Sequence, residues 1–199
     1  MGFYSFTAAV GWLAVVLGVF VAYAQFKRMS KRGIEGVSLA TWTLLLYLDI
    51  FWAFYGVAAH SWQLIVGCTI TFPLQLLIWF GLKPFERFRV SLHSLALFGV
   101  FSILPALEWG WAGAAVGAGM VGWVTRAPQL VHLVRYEAAI GVSASSWATA
   151  GLVSGLWVVY YSGARLWPVL FVTAIASLLS LTVAAMAGWR HRQAQAFAS

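Results

Sequence analysis

Two aromatic pairs and one acid are the residues best suited to hold a solute. Trp52 and Tyr55 are spaced i, i+3, as are Trp157 and Tyr160, which puts each pair on one face of a helix. Such a wall suits stacking on a sugar ring, a heterocycle or a cation, because the ring face is both apolar and electron-rich. The competing reading is that these rings, like the chain's other tryptophans, pack the interior or line a membrane interface. Asp49 lies one turn before Trp52 on the same side. An acid embedded in apolar sequence needs a partner. It is either a proton or cation site, the default for an ionisable residue inside a membrane segment, or the structural partner of Arg126. Arg126 reads as that partner or as a side chain that snorkels to the headgroups. No paired-carboxylate, His-rich or nucleophile-elbow arrangement is present, so no enzymatic activity, cofactor or metal is expected.

Apolar helices must position these residues. Hydrophobic residues make up 62% of the 199 and charged residues only 9%, a balance that excludes an ordinary water-soluble domain. The formal charge of +7 does not indicate nucleic acid, because the basic residues punctuate long apolar runs instead of clustering on one wet face. Runs able to cross about 30 Å of hydrocarbon fall near 3–26, 39–59, 62–82, 91–107, 109–133, 143–164 and 166–188. This predicts an all-α membrane protein of seven transmembrane helices. Basic residues such as Lys27, Arg28, Lys31, Arg87 and Arg190 fall in alternate connections or the tail, with Arg165 on the other side. The N-terminus is therefore expected outside and the C-terminus in the cytoplasm. The first run is not read as a secretory signal, since its positive charge follows the apolar core. His60 and Glu108 are expected in water at the outer interface. The single cysteine, Cys68, excludes an intrachain disulfide. Connections as short as His60-Ser61 cannot hold a domain, so function must lie inside the bundle.

The chain also repeats itself. At an offset of 105, Gly36-Val37-Ser38 recurs as Gly141-Val142-Ser143, and the register continues through Trp42 and Trp147, Trp52 and Trp157, Tyr55 and Tyr160, and Trp62 and Trp167. Two three-helix units, 1–82 and 109–199, would thus flank a linker helix over 83–108. With one helix between them, both units enter the membrane in the same direction, as in transporters built from parallel repeats. Asp49 has Ser154 as its counterpart, so the halves differ in chemistry. Gly113, Gly117, Gly151 and Gly155 have the small-xxx-small spacing of close helix packing.

With these motifs in place the chain resembles the PQ-loop superfamily, most closely its SWEET and half-size SemiSWEET sugar facilitators. The resemblance covers nearly the whole chain. It is carried by Pro128-Gln129, by Gln25 at the matching place, and by basic residues followed by Gly-Val-Ser and then Trp-x-x-Tyr in both units. It implies a plasma-membrane uniporter that moves a small polar solute, sugar favoured, by alternating access. Gln25, Pro128 and Gln129 would form its hinge. Family sugar sites use the tryptophan of Trp-x-x-Tyr and an asparagine sixteen residues later; those asparagine positions hold Cys68 and Thr173, and the chain contains no asparagine. The implied binding set is Trp52, Tyr55, Cys68, Trp157, Tyr160 and Thr173, with Asp49 and Arg126 as proton or charge sites. Two alternatives stand beside it. One is a proton-coupled carrier of an amino acid or cationic metabolite, like the superfamily's lysosomal branch; the other is a non-transporting receptor, like the peptide-retrieval receptors of similar fold. The partners implied are a small-molecule substrate and the lipid bilayer, without nucleic acid. A monomer suffices, and further association into homo-oligomers is left open.

Overall fold

The computed structural model describes residues 2–32, 38–82, 84–126, 130–131, 133–134 and 143–198. Its elements are α1 (Gly2–Arg32), α2 (Leu39–Ala58), α3 (Trp62–Gly81), a 3-10 turn (Pro84–Glu86), α4 (Arg87–Val124), α5 (Ala144–Ala164) and α6 (Trp167–Ala198). Among the described residues there is no strand. Five helical spans are long and apolar enough to cross a membrane: Tyr4–Lys31, Leu39–Ala58, Trp62–Gly81, Pro84–Val124 and Trp167–Gln193. This fits a multi-pass integral membrane protein. α5 is long enough but is diluted by Ser145, Ser146, Thr149 and Ser154. Large apolar side chains such as Phe88, Leu107 and Phe171 point outward, as a protein solvated by lipid tails requires.

The continuous element α4 covers the ground where two helices, 91–107 and 109–133, were expected. Its backbone leaves helical geometry at Trp109 (φ −123°, ψ 15°) and Gly110 (φ 56°, ψ −138°), a conformation at Gly110 that favours glycine. The chain folds back there, and its arms, 87–108 and 111–124, press together. A Cβ on Gly113 would collide with the Pro105 carbonyl oxygen, and one on Gly117 with that of Phe101. The second arm is interrupted by a turn at Thr125 and Arg126, ahead of Pro128, and Leu130, Val131, Leu133 and Val134 are helical again. α1 and α6 run past the expected ends at 26 and 188. Apolar runs stop at the first charge, whereas lysine and arginine are good helix formers and carry the helix onward.

The helices close into a ring. α1 packs on α3 and α5, α3 on α2, α2 on α4, α4 on α6, and α6 on α5. This order maps onto itself when α1, α2 and α3 are exchanged for the second arm of α4, α5 and α6. The correspondence reaches single residues at the sequence offset of 105. The Ser38 hydroxyl accepts from Thr41 N at 3.3 Å and the Ser143 hydroxyl accepts from Ser146 N at 3.2 Å, each capping its helix. His60 (φ 51°) and Arg165 (φ 57°) both adopt the left-handed conformation. Each is followed by the same six-to-one closure, Ser61 N to Gly56 O at 2.8 Å and Leu166 N to Tyr161 O at 3.0 Å. The Gly-Val dipeptides at 36–37 and 141–142 lie outside the described residues.

The bundle has two unlike ends. At the end bearing the His60 and Arg165 turns, one apolar cluster joins both halves: Tyr55 and Leu64 with Tyr160, Tyr161 and Val169. At the opposite, basic end the described clusters are separate. One gathers Met29, Leu39, Ile78 and Leu82; the other gathers Leu133, Val183 and Ala187. Arg87 also works at that end, donating to the carbonyls of Phe80 and Leu82 and lying over Trp79 at 5.3 Å, which caps α3 with a cation.

The fold-back supplies a test. Gly117→Ala should cost about 3 kcal/mol or more, because the methyl meets backbone that cannot move aside. Gly155→Ala meets only Ser177 Oγ at 3.6 Å and should be tolerated. Thermal unfolding in detergent separates the two; equal tolerance would contradict the packed hairpin.

Candidate functional site

Between the two halves of the ring lies a cavity of about 330 Å³, within the usual range of small-molecule sites, roughly 300–1,000 Å³. Trp52 and Trp157 line it, and so do Cys68 and Thr173, so four of the six expected binding residues share one wall surface. The remaining two, Tyr55 and Tyr160, are not among the lining residues. Each is 6% exposed and sits in the cluster closing the turn end. Their geometry is matched, however. Trp52 meets Tyr55 edge-on with centroids 5.6 Å apart, and Trp157 meets Tyr160 the same way at 5.6 Å. Helical spacing puts each tyrosine one turn nearer the turn end than its tryptophan, so the tryptophans face the cavity and the tyrosines support them. Tyr161 lines the cavity and stacks on Trp157 at 5.6 Å.

The Tyr160 hydroxyl also ties the two halves together. It donates to Gln63 Oε1 at 3.0 Å and lies 2.7 Å from Ser61 Oγ. The positions equivalent to Ser61 and Gln63 are Leu166 and Pro168, which offer Tyr55 no side-chain acceptor. The closure is therefore one-sided in its polar bonds although symmetric in its aromatics.

Asp49 and Arg126 both line the cavity, and they are neither paired with each other nor turned to the headgroups. Among the described residues no ion pair joins them. Asp49 Oδ2 accepts from Thr71 Oγ1 at 2.7 Å, and the Gln75 side chain is directed at the same carboxylate. Arg126 does not reach outward. Its Nε donates to Ser180 Oγ at 2.9 Å and its Nη1 to the Gly122 carbonyl at 2.6 Å. Gln75 and Ser180 are themselves 105 residues apart, so equivalent positions on α3 and α6 hold the acid in one half and the guanidinium in the other. Thr71, Gln75 and Ser180 were not singled out in the sequence. Their signal was present at helical spacing: Thr71 and Gln75 lie three and seven residues after Cys68, on its face.

A second, shallower groove of about 270 Å³ runs between α2 and α3, lined by Ile50, Phe54 and Phe72 together with Asp49 and Cys68. Asp49 therefore sits where these helices part. Among the hinge residues, Gln25 is half-buried in α1; Pro128 and Gln129 lie outside the described residues. His60 and Glu108 are both exposed. Among the described residues no group of three or more histidine, cysteine or acidic side chains is placed to hold a metal.

Comparisons with protein-family models, with curated proteins and with solved structures gave no match to this chain.

The local partnership of the acid is measurable. A double-mutant cycle with Asp49→Ala and Thr71→Val should give a coupling of about 2 kcal/mol, the range of a hydrogen bond to a charged group. Additive unfolding free energies would contradict the bond.

Proposed function

We propose that this chain is a membrane transporter that carries a small polar solute by alternating access, two three-helix units rocking about the cavity between them. The observation that carries this reading is the asymmetry of the core. One cluster seals both halves together at the turn end, a second joins α2 to the second arm of α4 beside the cavity, and at the basic end each half keeps its own cluster. A cavity at the seam of two repeats, shut on one side only, is what a carrier needs in one of its two states. Units 1–82 and 109–199 with a linker over 83–108 give seven crossings, the arms of α4 supplying two and α5 one. α5 also lines the cavity, through Ala150, Val153 and Ser154.

The basic end faces the cytoplasm in this reading, following the lysines and arginines that end α1 and α6 and begin α4. The N-terminus is then outside, and the cavity is closed to the exterior. The membrane is the plasma membrane, as the resemblance to sugar facilitators implies. Binding is aromatic at its centre: Trp52 and Trp157 offer ring faces from the two halves, with Cys68 and Thr173 beside them. Opening the outer side requires Tyr160 to leave Ser61 and Gln63, and the hydrophobic cluster around it to part.

Counterflow in proteoliposomes tests the proposal. With a panel of labelled sugars and amino acids, the wild-type chain should exchange at least one member. Trp52→Ala and Trp157→Ala should each abolish that exchange while leaving a folded, inserted protein by size exclusion. Undiminished exchange in both variants would remove the site, and binding of a ligand without any exchange would make the chain a receptor.

A further inference from the structure

We infer that the solute is a zwitterion, an amino-acid-like molecule whose ammonium group meets Asp49 and whose carboxylate meets Arg126. The inference rests on the transport reading above and names its substrate class.

Charge placement drives the argument. Asp49 and Arg126 line the same cavity inside an apolar bundle, where an uncompensated charge is costly. Two opposite charges so placed would gain by pairing. The structure instead holds them apart on neutral partners, the acid turned to α3 through Thr71 and the guanidinium turned to α6 through Ser180. They flank the seam where α2 meets the second arm of α4, joined there by Leu44, Leu48, Ala118 and Val121. Each side keeps spare hydrogen-bonding capacity. Arg126 Nη2 makes no hydrogen bond among the described residues, and on the acid side the Gln75 Oε1 is buried without a partner. One side of the cavity thus lacks a donor and the other lacks an acceptor.

Each simpler solute leaves part of this unsatisfied. A cation would answer Asp49 and be repelled by Arg126; an anion would do the reverse. A neutral polyol is gripped best by side-chain amides that donate and accept together, and Gln75 is the one such side chain on the cavity wall. A zwitterion answers both charges with charge-assisted bonds. Its aliphatic or aromatic remainder would lie against Trp52 and Trp157.

The test uses the purified full chain with ligand binding read by thermal stabilisation and flux read by counterflow. The probes are free amino acids of differing side chain, their amides, which lack the carboxylate, their N-acetyl forms, which lack the ammonium, and glucose and sucrose. The expected result is that at least one free amino acid binds and exchanges, and that its amide and N-acetyl forms are weaker by at least about tenfold, since each strands one buried charge. In Arg126→Gln the penalty for the amide should vanish while that for the N-acetyl form persists; Asp49→Asn should give the converse. Should a variant fail to fold, the wild-type panel alone decides. Sugar exchange with no response to amino acids would overturn the inference and leave the transport reading standing. Discriminating amino-acid binding without flux would sustain the zwitterion site and overturn the transport reading. No response to any probe, or equal response to the free and blocked forms, would overturn the inference.

Discussion

Inside a bilayer there is no water to solvate a peptide group or a charge, and the rest of this structure follows from that constraint. Backbone polar groups are satisfied within helices, so the molecule is a bundle. Helices that gain nothing hydrophobic by leaving lipid must instead attract one another by close contact and by a few polar bonds. Close contact is visible where Gly117 touches the Phe101 backbone and where Gly163 leaves room for Thr7. The polar bonds include Trp79 to Thr43 at 2.9 Å, Trp123 to the Val172 carbonyl at 2.8 Å and Ser177 to the Gly151 carbonyl at 2.8 Å. All three join helices within one half of the ring. The halves meet through aromatics and small residues at the turn end, through Leu44 and Leu48 against Ala118 and Val121 beside the cavity, and through polar bonds from Tyr160. That distribution suits two rigid bodies sharing a separable seam.

The same constraint sets the cavity's chemistry. Charge is expensive at this depth, so each charged side chain is accompanied by neutral groups on a neighbouring helix of its own half. The two halves place polar partners at equivalent positions. Gln75 and Ser180, at equivalent positions, serve an acid and a guanidinium that are not equivalent to each other. Asp49 has Ser154 as its counterpart at the offset of 105, so the repeated scaffold presents an asymmetric lining. Aromatic symmetry is kept in the Trp-x-x-Tyr pairs, and polar symmetry is lost in the charges and in the Tyr160 bonds. A carrier of the kind proposed would hold its solute in one orientation on such a lining.

Much of this was legible in the sequence because the bilayer makes the pattern strict. Apolar runs placed α2, α3 and α5 to within a residue at either end. The 105-residue offset paired Ser38 with Ser143 and matched the tryptophans and tyrosines of the two halves without any contact information. What the runs could not reveal was where polarity resumes without breaking a helix, so α1 and α6 were read short. Nor could spacing divide Trp52 from Tyr55. Residues three apart share a helix face, yet they differ by a turn in depth, and here that depth separates a cavity wall from its closure. The pairing of Asp49 with Thr71 depends on which face of α3 turns toward α2, a tertiary fact that composition does not carry. Arg126 illustrates the same limit: sequence offered an ion pair or the headgroups, and the fold supplied Ser180 and a backbone carbonyl instead.

The account's central claim is that a water-filled path reaches the middle of the bundle from one end at a time, and the chain's single cysteine makes that directly measurable. Cys68 lines the cavity beside Asp49 and needs no engineered background. A membrane-impermeant maleimide, applied in turn to each face of sealed vesicles of known orientation, reports its accessibility. The account predicts faster labelling from the basic end than from the turn end, slowed further by a transported solute. Equal labelling from both faces with no protection by solute, or reaction from the turn end alone, would contradict it.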